Sequence, residues 1–129
     1  MSAEVGTRAV HRRYVPHGHA HYGGGLVDGA YVLGLFGDVA TELCIRTDGD
    51  EGLFAGYSEV GFRAPVLAGD VVEVSATIVA VGRCSRTVAF EALVVCRADP
   101  SRGASAAQVL TPSLVAVTAR GTVVVPGAS

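Results

Sequence analysis

Asp38 and Glu42 are two acidic residues four positions apart in a segment whose apolar residues recur at helical spacing. Residues four apart on a helix project from the same face, about one turn from each other. If another protein surface closes that face, the two carboxylates cannot both remain ionised without cost, and the pKa of one shifts to a value useful for proton transfer. The pair then predicts acid–base chemistry at this face of the helix. On spacing alone, a solvated acidic face is an equal alternative.

Three consecutive glycines, Gly23, Gly24 and Gly25, stand shortly before this segment. Glycine lets a ligand approach the main chain closely, and the backbone N–H groups at a helix start can donate hydrogen bonds to an oxyanion. The glycines would fit such a site just before Leu26. Taken by themselves, they fit a loop that needs positive φ angles at least as well.

Histidines alternate in the same region as His17, His19 and His21. Alternating residues of an extended segment point the same way, so three imidazoles could converge on zinc. No acid or cysteine accompanies them at ligand spacing, and we therefore expect no metal site. We expect His21 and Tyr22 to line a substrate site, where they polarise a carbonyl or orient a carboxylate. The alternative for Tyr22 is a half-buried ring under the loop.

One helix must position most of these residues. Apolar residues recur at spacings of three, four and seven from Leu26 to Leu43, which predicts a helix with Asp28 in its first turn, near the positive end of the helix dipole. Gly34 and Gly37 inside this helix each weaken it, so they predict a neighbour that packs tightly against it.

The rest of the chain has the periodicity of strands joined by short turns. The predicted strands are Val10–Val15, Leu53–Phe62, Val71–Val81, Arg86–Cys96 and Leu114–Val125. Alternation in the third of them assigns one face to Val72, Val74, Ala76, Ile78 and Ala80. A loop of small polar residues is expected from Asp99 to Thr111. This order predicts an antiparallel sheet with one helix packed on it.

The bulk composition limits the classes of function. The 129 residues fit one domain, 1–129, with a frayed tail at 126–129. The net charge is -2 and the basic residues are scattered, so nothing favours a nucleic-acid partner. Hydrophobic residues make up 50% of the chain, which is high for a small monomer, so we expect a homo-oligomer.

No apolar run is long enough to span a bilayer and the start has no signal-peptide stretch, so the sequence predicts a cytoplasmic protein without a membrane partner. The three cysteines lack a close pairing motif, which favours buried, reduced thiols: Cys44, Cys84 and Cys96.

A short strand, one long helix and a meander of long strands in a chain of this length resemble the hotdog fold. The segment from Phe62 to Val72, FRAPVLAGDVV, also resembles the aromatic, Pro, Gly-Asp pattern of hotdog enzymes that handle acyl thioesters. The resemblance implies an α+β domain whose antiparallel sheet wraps one long central helix, and two subunits that pair their sheets edge to edge.

Three segments resemble the β-aminoacyl-CoA ammonia-lyases: HYGGGLVDGA from His21, LFGDVATEL from Leu35 and DGDEGLF from Asp48. Members of that family reversibly eliminate ammonia from a β-aminoacyl thioester, such as 3-aminobutyryl-CoA, to give an enoyl thioester. The reaction needs a base for the α-proton and donors for the thioester oxygen, but no metal or organic cofactor beyond the coenzyme A of the substrate.

The resemblance implies a site at the subunit interface that contains both acids as catalytic groups, with His21 and Tyr22 beside them. Glu42 is expected to transfer the proton and Asp38 to hold the substrate ammonium or share the proton, and the order of these two roles stays open. It favours the oxyanion role for the three glycines. It also places Asp28 in the substrate site, where the family is expected to carry Asn. The additional charge implies a changed substrate preference.

Arg63, Arg83 and Arg86 lie near predicted strand ends, where hotdog enzymes often receive the phosphates of coenzyme A. The planar guanidinium suits phosphate because it makes paired, charge-assisted hydrogen bonds. Three surface arginines are also what any soluble protein shows.

Other functions on the same fold remain open. The lyase reaction can run in reverse as amine addition, and the amine can be an amino acid. The acyl group can be bound to a carrier protein instead of coenzyme A. A hotdog thioesterase would use Asp38 or Glu42 to activate water or to attack the carbonyl. A non-catalytic acyl-CoA-binding module would need neither acid.

Overall fold

Residues 3–127 are described in the computed structural model, and they form a five-stranded antiparallel sheet with one long helix against one face. The elements are β1 (Arg8–Tyr14), α1 (Gly29–Asp48), β2 (Leu53–Phe62), β3 (Val71–Val81), β4 (Ser85–Ala98) and β5 (Ala107–Val124). The strand order across the sheet is β1-β3-β4-β5-β2. Within the described range, no helix has the length and apolar character needed to cross a membrane.

The helix α1 begins three residues later than the sequence predicted. Leu26 pairs with Leu67 in an isolated bridge, so the backbone is still extended at the predicted start. Asp28 is the N-cap, and its Oδ1 accepts a hydrogen bond from the Tyr31 N–H at 3.0 Å. This cap satisfies one of the N–H groups that lack a partner at a helix start, and α1 therefore begins at Gly29.

The end of α1 lies at Asp48, beyond the predicted Leu43. Gly49 follows in the left-handed region with a φ of 66°, and its N–H donates to the Ile45 carbonyl at 3.0 Å. Glycine adopts this conformation without a steric penalty, so the glycine of the turn ends the helix.

A closely packed apolar core lies between α1 and the sheet. Phe36 of α1 is fully buried, and its ring stacks on Phe90 of β4 with the centroids 5.0 Å apart. The predicted inward face of β3 is confirmed for Val72, Val74, Ala76 and Ile78, which are buried. Ala80 is exposed, because β3 has an irregularity between Ile78 and Ala80.

The last strand is longer than predicted. β5 begins at Ala107, inside the loop expected from Asp99 to Thr111, because residues 107–109 pair with the end of β4. The register then jumps from a pair at Val109 to a pair at Leu114, and Pro112 falls in this bulge. A bulge accommodates proline inside a strand because no ladder hydrogen bond is required there.

One face of α1 has no covering element within residues 3–127. A Cβ added at Gly34 or Gly37 would meet no atom within 4 Å, and Asp38 on the same side of the helix is exposed. The tight neighbour predicted for the two glycines is therefore absent from the described chain. The sheet covers only the opposite side of α1.

Smaller predictions had mixed outcomes. None of the three cysteines forms a disulfide within residues 3–127, but only Cys44 is buried, while Cys84 and Cys96 are half-buried. The predicted tail at 126–129 falls partly outside the described residues, of which Pro126 and Gly127 are the last and are exposed.

Candidate active site

A pocket of about 360 Å³ opens at the N-terminal end of α1. Its walls come from the segment before α1, the first turn of the helix, the end of β2, the loop after it, and β5. The lining residues are Leu26, Val27, Asp28, Gly29, Val32, Phe62, Arg63, Ala64, Pro65, Val66 and Val117. Most of them are apolar, so the pocket suits an aliphatic group with one polar end.

The first turn of α1 supplies that polar end. Backbone N–H groups at a helix start have no partner inside the helix and carry a positive partial charge. Gly29 lines the pocket at this position. A Cβ on Gly29 would lie only 2.5 Å from Cε1 of Phe62, so glycine allows this ring to close over the helix start. The arrangement can hold a carbonyl oxygen that gains negative charge.

The three glycines lie outside the pocket, in a turn that precedes it. Gly24 and Gly25 have φ angles of 72° and 76°, so their conformation alone favours glycine. No atom lies within 4 Å of a Cβ built on any of the three. Three extended residues separate Gly23–Gly25 from Gly29, so the backbone N–H groups of these glycines are not those of the helix start, and their oxyanion role stays a prediction. The loop explanation accounts for two of the three glycines.

The loop from residue 65 to residue 70 forms one wall of the pocket, and a buried ion pair holds it. Asp70 is 1% exposed, and Arg97 donates to its two carboxylate oxygens at 3.0 and 2.8 Å. The hydrogen bond with Asp70 raises the pKa of Arg97. Arg97 also donates to the Pro65 carbonyl, and Asp70 accepts from the Leu67 N–H, so both partners fix the loop backbone.

The same loop orders the segment before α1 through the main chain. The Val27 N–H donates to the Val66 carbonyl at 2.9 Å, and the Ala68 N–H donates to the Gly25 carbonyl at 2.8 Å. The sequence indicated the Gly-Asp turn, but nothing in it identified Arg97 as the partner of Asp70.

Asp38 and Glu42 both lie on α1, but they have different surroundings. Asp38 is exposed. Glu42 is partly exposed, and its Oε2 accepts a hydrogen bond from Arg46 at 2.8 Å, while its Oε1 lies 2.7 Å from Nε2 of His11. The hydrogen bond from Arg46 and then that from His11 lower the pKa of Glu42. In the described chain, Glu42 is therefore stabilised in its ionised form.

Glu42 is also distant from the pocket of its own chain. At a rise of roughly 1.5 Å per residue, it lies about 20 Å along the helix axis from Gly29. A single chain therefore brings the helix start and the apolar pocket together, but it does not bring the acid pair to them.

The histidine-rich segment is not extended. His17 to His19 form a short 3₁₀ turn, and the three rings contact different partners: His17 faces Tyr14, His19 packs on Tyr31, and His21 meets the edge of Tyr22. No cluster of His, Cys, Asp or Glu side chains in residues 3–127 has the geometry to hold a metal ion. His21 and Tyr22 are exposed and outside the pocket.

The three candidate arginines differ in availability. Arg63 is exposed, lines the pocket and donates through Nε to the Thr118 hydroxyl at 3.0 Å. Arg83 is exposed in the turn between β3 and β4. Both have a guanidinium that solvent can reach.

Arg86 does not suit a phosphate. It is 5% exposed and donates to both carboxylate oxygens of Asp48, at 3.2 and 2.7 Å. Its NH1 group donates to the carbonyls of Gly82 and Ser85. These contacts argue against the predicted role of Arg86 in binding coenzyme A, because its donors fix the C-terminal end of α1 to the sheet.

No family model matches this chain. The chain is 56% identical over 109 residues to the 3-aminobutyryl-CoA ammonia lyase of Acetoanaerobium sticklandii, over 83% of this chain and 85% of that protein. The solved structure of the β-alanyl-CoA:ammonia lyase from Clostridium propionicum is similar with a TM-score of 0.88 and 38% identity, over 95% of this chain and 87% of that one.

More distant structures share the architecture. An acyl-CoA hydrolase from Staphylococcus aureus has a TM-score of 0.71 at 15% identity, over 92% of this chain and 63% of that one. A hexameric hotdog fold thioesterase of Campylobacter jejuni has a TM-score of 0.70 at 18% identity, over 94% of this chain and 82% of that one. These two similarities concern the fold alone, and they confirm the predicted hotdog architecture. Because this chain is related to both ammonia lyases along most of their length, it belongs to the aminoacyl-CoA ammonia-lyase family of carbon–nitrogen lyases.

Proposed function

We propose that this protein reversibly eliminates ammonia from a β-aminoacyl-CoA, such as 3-aminobutyryl-CoA, to give the enoyl-CoA. The observation that carries the proposal is the apolar pocket at the start of α1, in a chain that is 56% identical to a 3-aminobutyryl-CoA ammonia lyase. A volume of about 360 Å³ suits the acyl part of such a thioester.

The acyl chain lies against Leu26, Val32 and Phe62, with the thioester carbonyl at the first turn of α1. When the α-proton leaves, the electron pair of the broken C–H bond moves towards the thioester oxygen. Fixed N–H donors stabilise this developing charge, and a helix start presents them without reorganisation. The environment thereby acidifies the α-carbon.

The second half of the reaction breaks the C–N bond. The electron pair returns to form the double bond between the α- and β-carbons, and the β-ammonium group leaves as neutral ammonia. The protonated base then transfers its proton to the ammonia and regains its charge. These steps need no metal or organic cofactor, and coenzyme A is part of the substrate.

Glu42 is the base in this proposal, and it acts on a substrate bound by a second copy of the chain. The separation of about 20 Å along α1 excludes Glu42 from the pocket of its own chain. The uncovered face of α1 that carries Gly34 and Asp38 is the surface that a second copy would close. In such an oligomer Asp38 holds the substrate ammonium.

The edge strand β2 offers the second copy a further contact. It hydrogen-bonds to β5 on one side and exposes Leu53 and Phe62, whose relative accessibilities are 62% and 59%. A long, apolar, unpaired edge is a template for pairing with another strand. We propose a homo-oligomer in which β2 pairs across the interface and the site lies between subunits.

The remaining predicted residues have supporting roles. Arg63 at the pocket mouth binds a phosphate of coenzyme A, and Arg83 of the other copy binds another. Asp28 adds a negative charge beside the pocket, which favours a substrate with a cationic amine. His21 and Tyr22, exposed before the helix, line the entrance.

The test is a direct assay of the purified protein with 3-aminobutyryl-CoA, β-alanyl-CoA and saturated butyryl-CoA. We expect enoyl-thioester absorbance and ammonia to appear together with the first two and neither product with the third. In the reverse direction, enoyl-CoA is mixed with ammonia or with glycine, and mass spectrometry distinguishes the two adducts. A parallel assay uses enoyl-pantetheine in place of enoyl-CoA. Release of free thiol without enoyl product would instead indicate a thioesterase, and binding without any product an acyl-CoA-binding module.

A further inference from the structure

His11 of β1 makes a short contact with Glu42 outside the pocket. Its Nε2 lies 2.7 Å from Glu42 Oε1, and its side chain is only 14% exposed. The other carboxylate oxygen accepts from Nε of Arg46 at 2.8 Å. One carboxylate oxygen of Glu42 therefore contacts a residue of the sheet, and the other contacts a residue of α1.

The contacts define which nitrogen of His11 carries the proton. An ionised carboxylate is only an acceptor, so Nε2 must be the donor to Glu42. On the other side of the ring, Nδ1 lies 3.4 Å from NH2 of Arg13, and arginine has donors but no acceptor. Neutral His11 is thus the Nε2–H tautomer, with the lone pair of Nδ1 facing Arg13.

The two partners of Glu42 differ in how firmly they hold it. Arg46 is 57% exposed and lies one turn away on the same helix, so its long side chain is free to reorient. His11 is fixed by the backbone pairing of β1 with β3, where it stands opposite Val74. A ring anchored in the sheet determines the direction of the carboxylate more strictly than a flexible neighbour does.

We propose that His11 is a positioning residue for Glu42: its Nε2–H holds the carboxylate in the orientation from which it takes the α-proton. This inference rests on the proposed function, in which Glu42 is the base. No local pattern in the sequence indicates the pair, because the two residues are 31 positions apart.

The experiment compares three variants in the elimination assay. His11→Leu removes the donor, His11→Gln keeps one, and Arg46→Gln is the matched control on the other oxygen. We expect His11→Leu to lower kcat about tenfold to a hundredfold with little change in KM, because the base loses its orientation. We expect His11→Gln to recover most of this loss, because its amide can still donate a hydrogen bond to the carboxylate.

Two results would overturn the positioning role: wild-type kcat in His11→Leu, or no recovery of kcat in His11→Gln. Arg46→Gln should affect kcat less than His11→Leu does. Thermal melts of all variants show whether each is folded.

A second measurement needs no turnover. Nitrogen NMR of labelled wild-type protein should show the Nε2–H tautomer for neutral His11. An Nδ1–H tautomer would contradict the proposed pair. If the wild type eliminates ammonia from no β-aminoacyl thioester, the proposed function fails, and the NMR result still decides whether His11 and Glu42 are paired.

Discussion

Arg97 near the end of β4 neutralises the buried carboxylate of Asp70 and thereby fixes the loop that forms one wall of the pocket. The two residues are 27 positions apart, and each also binds the backbone of the loop. A charge pair of this kind is more important for shape than for net stability, because the cost of burying the charges offsets much of their attraction.

Arg97→Ala should destabilise the fold strongly, because it leaves the carboxylate of Asp70 buried without its partner. The expected loss in the free energy of unfolding is about 3–5 kcal/mol. Arg102→Ala is the matched control, since Arg102 pairs with Asp99 at the surface and its loss should cost much less than the loss of Arg97. Denaturant unfolding of both variants measures the difference. Equal losses would show that Asp70 does not depend on Arg97.

Glu42→Gln should lower kcat by about 10²- to 10⁴-fold with the fold intact, because the amide cannot accept the α-proton. Asp38→Asn should instead raise KM for aminoacyl thioesters and leave the binding of enoyl-CoA nearly unchanged, since enoyl-CoA has no ammonium group. Steady-state kinetics in both directions separates the two effects. Full activity in Glu42→Gln would remove this residue from the mechanism.

Arg63→Ala and Arg83→Ala should each raise KM for coenzyme A substrates but not for the corresponding pantetheine thioesters, which lack the nucleotide phosphates. Arg86→Ala should behave differently: it should lower the melting temperature, because Asp48 loses its buried partner. A selective KM effect in Arg86→Ala with unchanged stability would restore the role in phosphate binding that its burial argues against.

Gly34→Ala tests whether a second copy covers α1. On a helix face that stays open, replacing glycine by alanine stabilises by about 0.5–1 kcal/mol. We expect weaker association of the subunits instead, because the methyl group meets the neighbouring copy. Sedimentation of the variant and the wild type over a range of concentrations gives the two association constants. A more stable variant with unchanged association would mean that this face remains open to solvent.

Acid should destabilise the fold partly through Asp48. The hydrogen bond from Arg86 lowers the pKa of Asp48 in the folded state, whereas in the unfolded chain the carboxyl has its ordinary pKa of about 3.9. The resulting stabilisation is complete above the unfolded pKa and is lost as the pH falls through the lower folded value. Urea unfolding from pH 7 down to pH 3 should show a smaller change for Asp48→Asn than for the wild type. Parallel curves would contradict this role.

The sequence predicted the elements whose pattern is local. β2 and β3 have the predicted bounds, since their turns are marked by glycine, proline and aspartate. Boundaries that depend on distant partners were shifted: α1 starts late because Leu26 pairs with Leu67, and β5 starts early because residues 107–109 extend the ladder to β4.

In the candidate site, too, local patterns were predicted and contacts between distant residues were not. The spacing of Asp38 and Glu42 correctly placed both on α1, but the partners that determine their chemistry come from other elements. His11 and Arg97 were missed because their partners are far away in sequence. The contact that argues against phosphate binding by Arg86 is also distant in sequence, since Asp48 lies 38 positions away.

The length of α1 has one more consequence. If Glu42 of one chain acts on the substrate in the pocket of another, two inactive variants of the protein can restore activity to each other. An oligomer that mixes chains lacking the base with chains lacking a usable pocket contains one undamaged catalytic centre for every doubly damaged one. Co-expression of two inactive alleles would then restore part of the activity, as in intragenic complementation, whereas a site contained in one polypeptide would remain inactive in every mixture.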